Sequence, residues 1–215
     1  MLKRFLLFCL AVLLASGPAF ADSVYTVNVD TSSLLGTSAQ LAFDLIDGGG
    51  SSNTVTLTDF STDGTLGSVF PTGLVSGALP GTVTLADSPG SFFNEYLTDM
   101  TLGTTFSFTL DATTNGPDPL SVPDALSVFL LDPSTGLPLY TTSDPTGSDS
   151  LLTLNIDGTP EGDLGVYAST VGAAIAGSGS ASTVPEPHTA VLLAGGFVFL
   201  VWRLQRSRPH RRKLS

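Results

Sequence analysis

Between Val24 and Thr170, apolar and polar residues alternate in short runs, the period-two pattern of strands buried on one face. Tyr25, Val27 and Val29 share a face in Val24–Asp30, as do Leu41, Phe43 and Leu45 in Leu41–Asp47. In Thr54–Phe60, Thr54, Thr56 and Thr58 alternate with Val55 and Leu57. Val83 and Leu85 stand between threonines, and Phe106, Phe108 and Leu110 follow the same rule. Ala125–Leu131, Leu137–Thr142, Leu151–Ile156 and Gly165–Thr170 are further predicted strands. Turn-forming clusters separate these runs, among them Asp47-Gly48-Gly49-Gly50, Asp63-Gly64, Pro80-Gly81, Asn115-Gly116-Pro117 and Asp157-Gly158. Asp132–Gly136, between two apolar runs, predicts a hairpin. One segment breaks the alternation: in Ser91–Met100, Phe92, Phe93, Tyr96, Leu97 and Met100 recur at roughly helical spacing, which predicts a short capping helix. About eight to ten short strands with Gly/Pro punctuation predict an all-β body, a β-sandwich or jelly roll carrying that one helix.

Hydropathy changes character at both ends. Lys3 and Arg4 precede an unbroken apolar run, Phe5–Ala15, then Gly17, Pro18 and the triplet Ala19-Phe20-Ala21. A basic start, an apolar helix and a small-x-small site predict a signal peptide over residues 1–21, with Asp22 as the mature N-terminus. The run has no polar face, so it does not suit a helix on a globular surface. At the other end, the 14 residues Thr189–Trp202 precede Arg203, Arg206, Arg208, Arg211, Arg212 and Lys213. Such a helix covers about 21 Å, less than the roughly 30 Å hydrocarbon core, so spanning requires snorkelling arginines and a locally thinned bilayer. We expect a short, processable transmembrane helix with a basic cytoplasmic end. The uncharged Gly/Ala/Ser stretch 172–184 reads as a flexible linker. The expected layout is signal peptide 1–21, body 22–171, linker 172–184 and tail 185–215.

Charge sharpens this layout. All eight Lys and Arg lie at the two ends, and from Asp22 to Val184 there is no Lys, Arg or His. Of the 19 Asp and Glu only Glu186 lies outside that span, which leaves eighteen acids in the body and no fixed cation. Basic ends stay in the cytoplasm while the acidic body crosses. Such a body should repel nucleic acid, anionic lipid and acidic polysaccharide unless a divalent cation bridges the two, so no nucleic-acid partner is expected. The single Cys9 falls within the signal, so the mature body has no disulfide.

Pro185-Glu186-Pro187, the apolar run and the arginine cluster, in that order, resemble the PEP-CTERM sorting signal. The resemblance implies recognition and cleavage by an exosortase-type membrane protease. The protein would then pass transiently through the inner membrane of a Gram-negative-type bacterium to the cell surface or a biofilm matrix. The stretches Val24–Leu34 and Leu79–Leu85 are also similar to one recurrent group of such surface proteins, a group that implies no activity.

Absences limit the chemistry. A body without His, Cys, Lys or Arg has no Ser-His-Asp or Cys-His nucleophile, no Cys/His zinc site, no Schiff base and no phosphate clamp. Carboxylates remain. No pair is marked by the sequence for glycoside hydrolysis, so a non-enzymatic protein is expected, with no cofactor beyond calcium. The best calcium candidates are Asp157, Glu161 and Asp163 on a Gly-rich turn, although an Asp-Gly hairpin loop accounts for the same residues. Phe92, Phe93 and Tyr96 suit either core or a sugar-stacking platform. Two functions follow: a surface or matrix component, or a calcium-dependent carbohydrate-binding module associated with exopolysaccharide.

Overall fold

The computed structural model describes residues 23–50, 52–88, 90–117, 120–159, 163–167, 169 and 175–181. The expected signal peptide (residues 1–21) and the sorting tail (185–215), with Pro185, Glu186, Pro187 and the arginines, lie outside them. Among the described residues twelve strands occur in chain order: β1 (Ser23–Asp30), β2 (Ser38–Ile46), β3 (Thr54–Thr62), β4 (Thr65–Thr72), β5 (Val75–Gly77), β6 (Val83–Ala86), β7 (Phe93–Thr101), β8 (Thr105–Ala112), β9 (Asp124–Leu131), β10 (Leu152–Ile156), β11 (Asp163–Val166) and β12 (Ile175–Ala181). Among the described residues the only helical element is a single 3₁₀ turn at Ser32–Leu34.

All ladders are antiparallel and form two sheets. The first runs β12-β1-β8-β3-β6-β5 and the second β11-β10-β9-β2-β7-β4. Nested pairing organises six of the first eight strands, β1 with β8, β2 with β7 and β3 with β6, alternate pairs falling in alternate sheets, while β4 pairs with β7 and β5 with β6. The chain crosses from β4 to β5 through Gly73, whose φ of +74° and close approach to the Phe93 carbonyl leave no room for a Cβ. Asn94 Oδ1 accepts a hydrogen bond from Leu74 N (2.7 Å) and holds that corner.

The inner faces meet in one core. Phe43 of β2 meets Phe108 of β8 edge to face, 5.2 Å between centroids, and Phe106 stacks alongside Phe108. The buried Tyr96 hydroxyl accepts a hydrogen bond from Leu79 N (2.9 Å), so the largest core side chain carries no unmet polar group. The alternation read from Tyr25, Val27, Val29, Leu41, Phe43 and Leu45 is the burial pattern observed.

Three expectations need correction. Ser91–Met100 is no helix: Phe93–Thr101 is β7, a strand held between β2 and β4. Its inward residues are Asn94, Tyr96, Thr98 and Met100, and its outward residues include Phe93 and Leu97. Apolar residues on both faces erased the period of two, and the two ladders decided the conformation. Leu137–Thr142 is not a strand. The Asp132–Gly136 turn forms, with Asp132 N donating to Leu137 O (2.8 Å), but pairing stops after Leu139 N meets Leu130 O (2.8 Å). Pro138 has no N–H to extend the ladder. Finally, within the stretch read as linker, Ile175–Ala181 is the edge strand β12, paired with β1 over seven positions. The open backbone edge of β1 supplies the hydrogen bonds, so side-chain pattern gave little warning.

Candidate functional site

The turn singled out for calcium is occupied by its own hydrogen bonds. Asp157 Oδ1 accepts from Thr159 N (2.9 Å) and Thr159 Oγ1 (2.6 Å), and these bonds hold its carboxyl below the usual range. Glu161 lies outside the described residues, and Asp163 is exposed at the start of β11, opposite Asn155. Asp63 is similar to Asp157 in kind: Thr104 Oγ1 and Thr105 N donate to it, lowering its pKa to about 2.

Three other carboxylates converge at one end of the sandwich. Asp47 follows β2, Asp87 follows β6 and Asp124 opens β9, and each offers an oxygen within 4.8 Å of the others. Asp124 is 3% exposed and Asp87 5%. Gly48 brings the loop after β2 against the Val122 and Pro123 carbonyls, where a Cβ would collide. Gly48 N then donates to Asp124 Oδ1 (2.8 Å) and Gly49 N to Asp47 Oδ1 (2.6 Å).

Asn53 is the organiser. Its backbone N–H donates to Asp87 Oδ1 (2.5 Å) and its Nδ2 to Asp124 Oδ2 (2.6 Å). Its Oδ1 accepts from Thr113 Oγ1 (2.8 Å) and Asn115 N (3.0 Å), which fixes the amide's orientation. Burial, a hydrogen bond shared with Asp124 and the neighbouring negative charges push Asp87 up to about 7. The body contains no Lys, Arg or His to neutralise the cluster. Carboxylate oxygens placed this close are the donor type that hard cations such as calcium take.

A second feature lies on the outer face of the second sheet. Asp44 of β2 stands directly opposite Glu95 of β7. Like charges so placed repel. Burial, and then Glu95, push Asp44 up to about 7, and burial raises Glu95. Asp44 Oδ1 is buried and meets no donor. The two carboxyls are side by side on one sheet face. Of the three aromatic residues singled out, Tyr96 is core, while Phe92 and Phe93 are 67% and 38% exposed.

Sequence reading missed Asp47, Asp87 and Asp124 because each stands at a strand end, Asp47 beside Gly48, Asp124 beside Pro123 and Asp87 two residues before Pro89, where Asp is an ordinary turn residue. They are separated by 37 residues or more along the chain, and no local spacing links them. No family model, no curated protein and no solved structure matches this chain.

Proposed function

We propose that the chain is an exported cell-surface or extracellular-matrix protein, sorted through its C-terminal tail by an exosortase-type membrane protease, with a non-enzymatic body. The observation that carries this reading is the segregation of charge around Pro185-Glu186-Pro187: cations at both ends, eighteen carboxyls and no cation between Asp22 and Val184. Before processing, the helix over Thr189–Trp202 holds the protein in the inner membrane, with Arg203 to Lys213 in the cytoplasm. Nested pairing of β1 with β8, β2 with β7 and β3 with β6 supports a jelly-roll reading of the body. Mass spectrometry of the surface-associated protein should find an N-terminus at Asp22 and no peptide from Thr189 onward. Intact tail peptides in that fraction would overturn the sorting reading, and release of reducing ends from a polysaccharide would overturn the non-enzymatic one.

A second reading is favoured by the convergence of Asp47, Asp87 and Asp124 in a body with no cation. It is a calcium-dependent carbohydrate-binding module associated with exopolysaccharide. On this reading calcium raises the thermal midpoint at neutral pH and Asp87→Asn abolishes the rise. An unchanged midpoint removes calcium from the account.

A further inference from the structure

The outer face of an antiparallel sheet that meets water is ordinarily polar. The second sheet departs from this in an ordered way. Its pairing registers place Thr72, Glu95, Asp44, Ser127 and Thr153 in one row across β4, β7, β2, β9 and β10. On one side of this polar row lies an apolar row of Phe70, Leu97, Ala42 and Phe129. On the other lie Phe93, Ile46 and Ala125. Phe70 and Phe93 are 48% and 38% exposed. Phe70, Phe93, Leu97, Ile46 and Phe129 stand on the face turned away from the core, the half-buried or exposed positions of their strands, so packing between the sheets does not account for their identity.

We propose that this face binds a neutral, extended polysaccharide chain lying across the strands. Strands lie about 4.8 Å apart, so the polar row from Thr72 to Thr153 is roughly 19 Å long, enough for several sugar rings end to end. A flat, ribbon-like glycan has hydroxyls along its edges and C–H groups on its faces. The hydroxyls meet the row's carboxyls and hydroxyls, and the C–H faces meet the exposed rings of Phe70 and Phe93. Glu95 is only partly buried and accepts bonds from neighbouring hydroxyls, while Asp44, whose Oδ1 is buried, stands beside it in the row. Without a bridging divalent cation, eighteen carboxyls and no fixed cation repel acidic polysaccharides, whereas neutral chains meet no such repulsion.

The inference deepens the carbohydrate part of the second reading and rests on it, but not on calcium. The test is native affinity electrophoresis of the full chain in mild detergent. The gels contain hydroxyethyl cellulose or galactomannan, both neutral with extended β-1,4-linked backbones, or anionic polygalacturonate. We expect retardation in the neutral gels only, unchanged by EDTA. Phe93→Ala should weaken the apparent Kd about tenfold, and Glu95→Gln should weaken it by a smaller factor. Thr109→Ala on the opposite sheet should leave it unchanged, and the thermal midpoint of Phe93→Ala should match the parent.

Retardation in neither neutral gel overturns the proposal and the carbohydrate reading together. Retardation that Phe93→Ala and Glu95→Gln leave intact overturns the face alone. Retardation abolished by EDTA moves binding to the carboxylate cluster and overturns the proposal as well.

Discussion

The two sheets share one core yet present different faces to solvent. Outward from the first sheet, Thr26, Thr109 and Thr58 stand in register, as do Asp111, Thr56, Thr84 and Ser76. Outward from the second, phenylalanines flank a row that contains two adjacent carboxyls. Threonine there satisfies the pleated backbone and water at once, and makes no further demand. Phe70 and Phe93 on a wet face satisfy neither, because nothing in the fold needs them exposed. The same contrast appears in the acids. Asp30, on the first sheet, is held below its ordinary range by Ser32, whose hydroxyl and backbone N–H both donate to it. Asp44, on the second, is pushed up to about 7 by burial and by Glu95. One face is built for solvent, and the other keeps polar groups in a setting solvent does not favour.

The strongest way to break this comparison is to exchange inner for outer phenylalanine. Phe43→Ala removes a ring that is fully buried between the sheets and should cost about 3–5 kcal/mol in urea unfolding. Phe93→Ala should stay within about 0.5 kcal/mol of the parent if the outer row serves no structural purpose. Equal losses would make the outer rings structural.

The next effect is on pH. A carboxyl raised in the fold contributes stability in full below its unfolded value of about 4, and loses it as pH climbs through the folded value. Asp44 therefore makes the body less stable at pH 8 than at pH 5, through a window ending near the folded value of about 7. Asp44→Asn should make that limb shallower in thermal unfolding, the remaining slope coming from Asp87 and Glu95, which are raised as well. Asp30 has the opposite sign: its contribution is present above about 4 and is lost as pH falls through its lowered value, so Asp30→Asn should alter only the acid limb. A parent and Asp44→Asn with parallel pH profiles would refute the assignment.

The smallest effect concerns surface character. Phe70→Thr combined with Phe93→Thr gives the second sheet a face like the first. It should reduce binding of a hydrophobic dye while leaving stability within about 0.5 kcal/mol. Undiminished dye binding would place the apolar surface elsewhere.

How far these features could be read in advance varies by residue. Val27, Phe43, Leu57, Phe108 and Leu154 alternate with polar neighbours, and their burial was legible because one face of each strand is dry and the other wet. β7 was not legible, because Phe93 and Leu97 interrupt the polar face that would have marked a strand. β4 was hidden for a related reason. As an edge strand it keeps most residues exposed and carries a register shift between Leu66 and Val69, so no buried set repeats at a fixed spacing. The residues that blurred the strand pattern of β7 are the ones that make the outer face unusual.

By itself the amino-acid sequence determined the all-β class, the core-facing half of most strands and the absence of any cation in the body. These follow from residue type and local period, which act over a few neighbours. Tertiary structure alone decided which strands lie side by side. It brought Asp47, Asp87 and Asp124 together and set Asp44 against Glu95. It also aligned Phe70 with Leu97 and Phe129 with Ala42. Such juxtapositions depend on ladder register between distant segments, and register is fixed by the packing of the whole core, which no local period encodes.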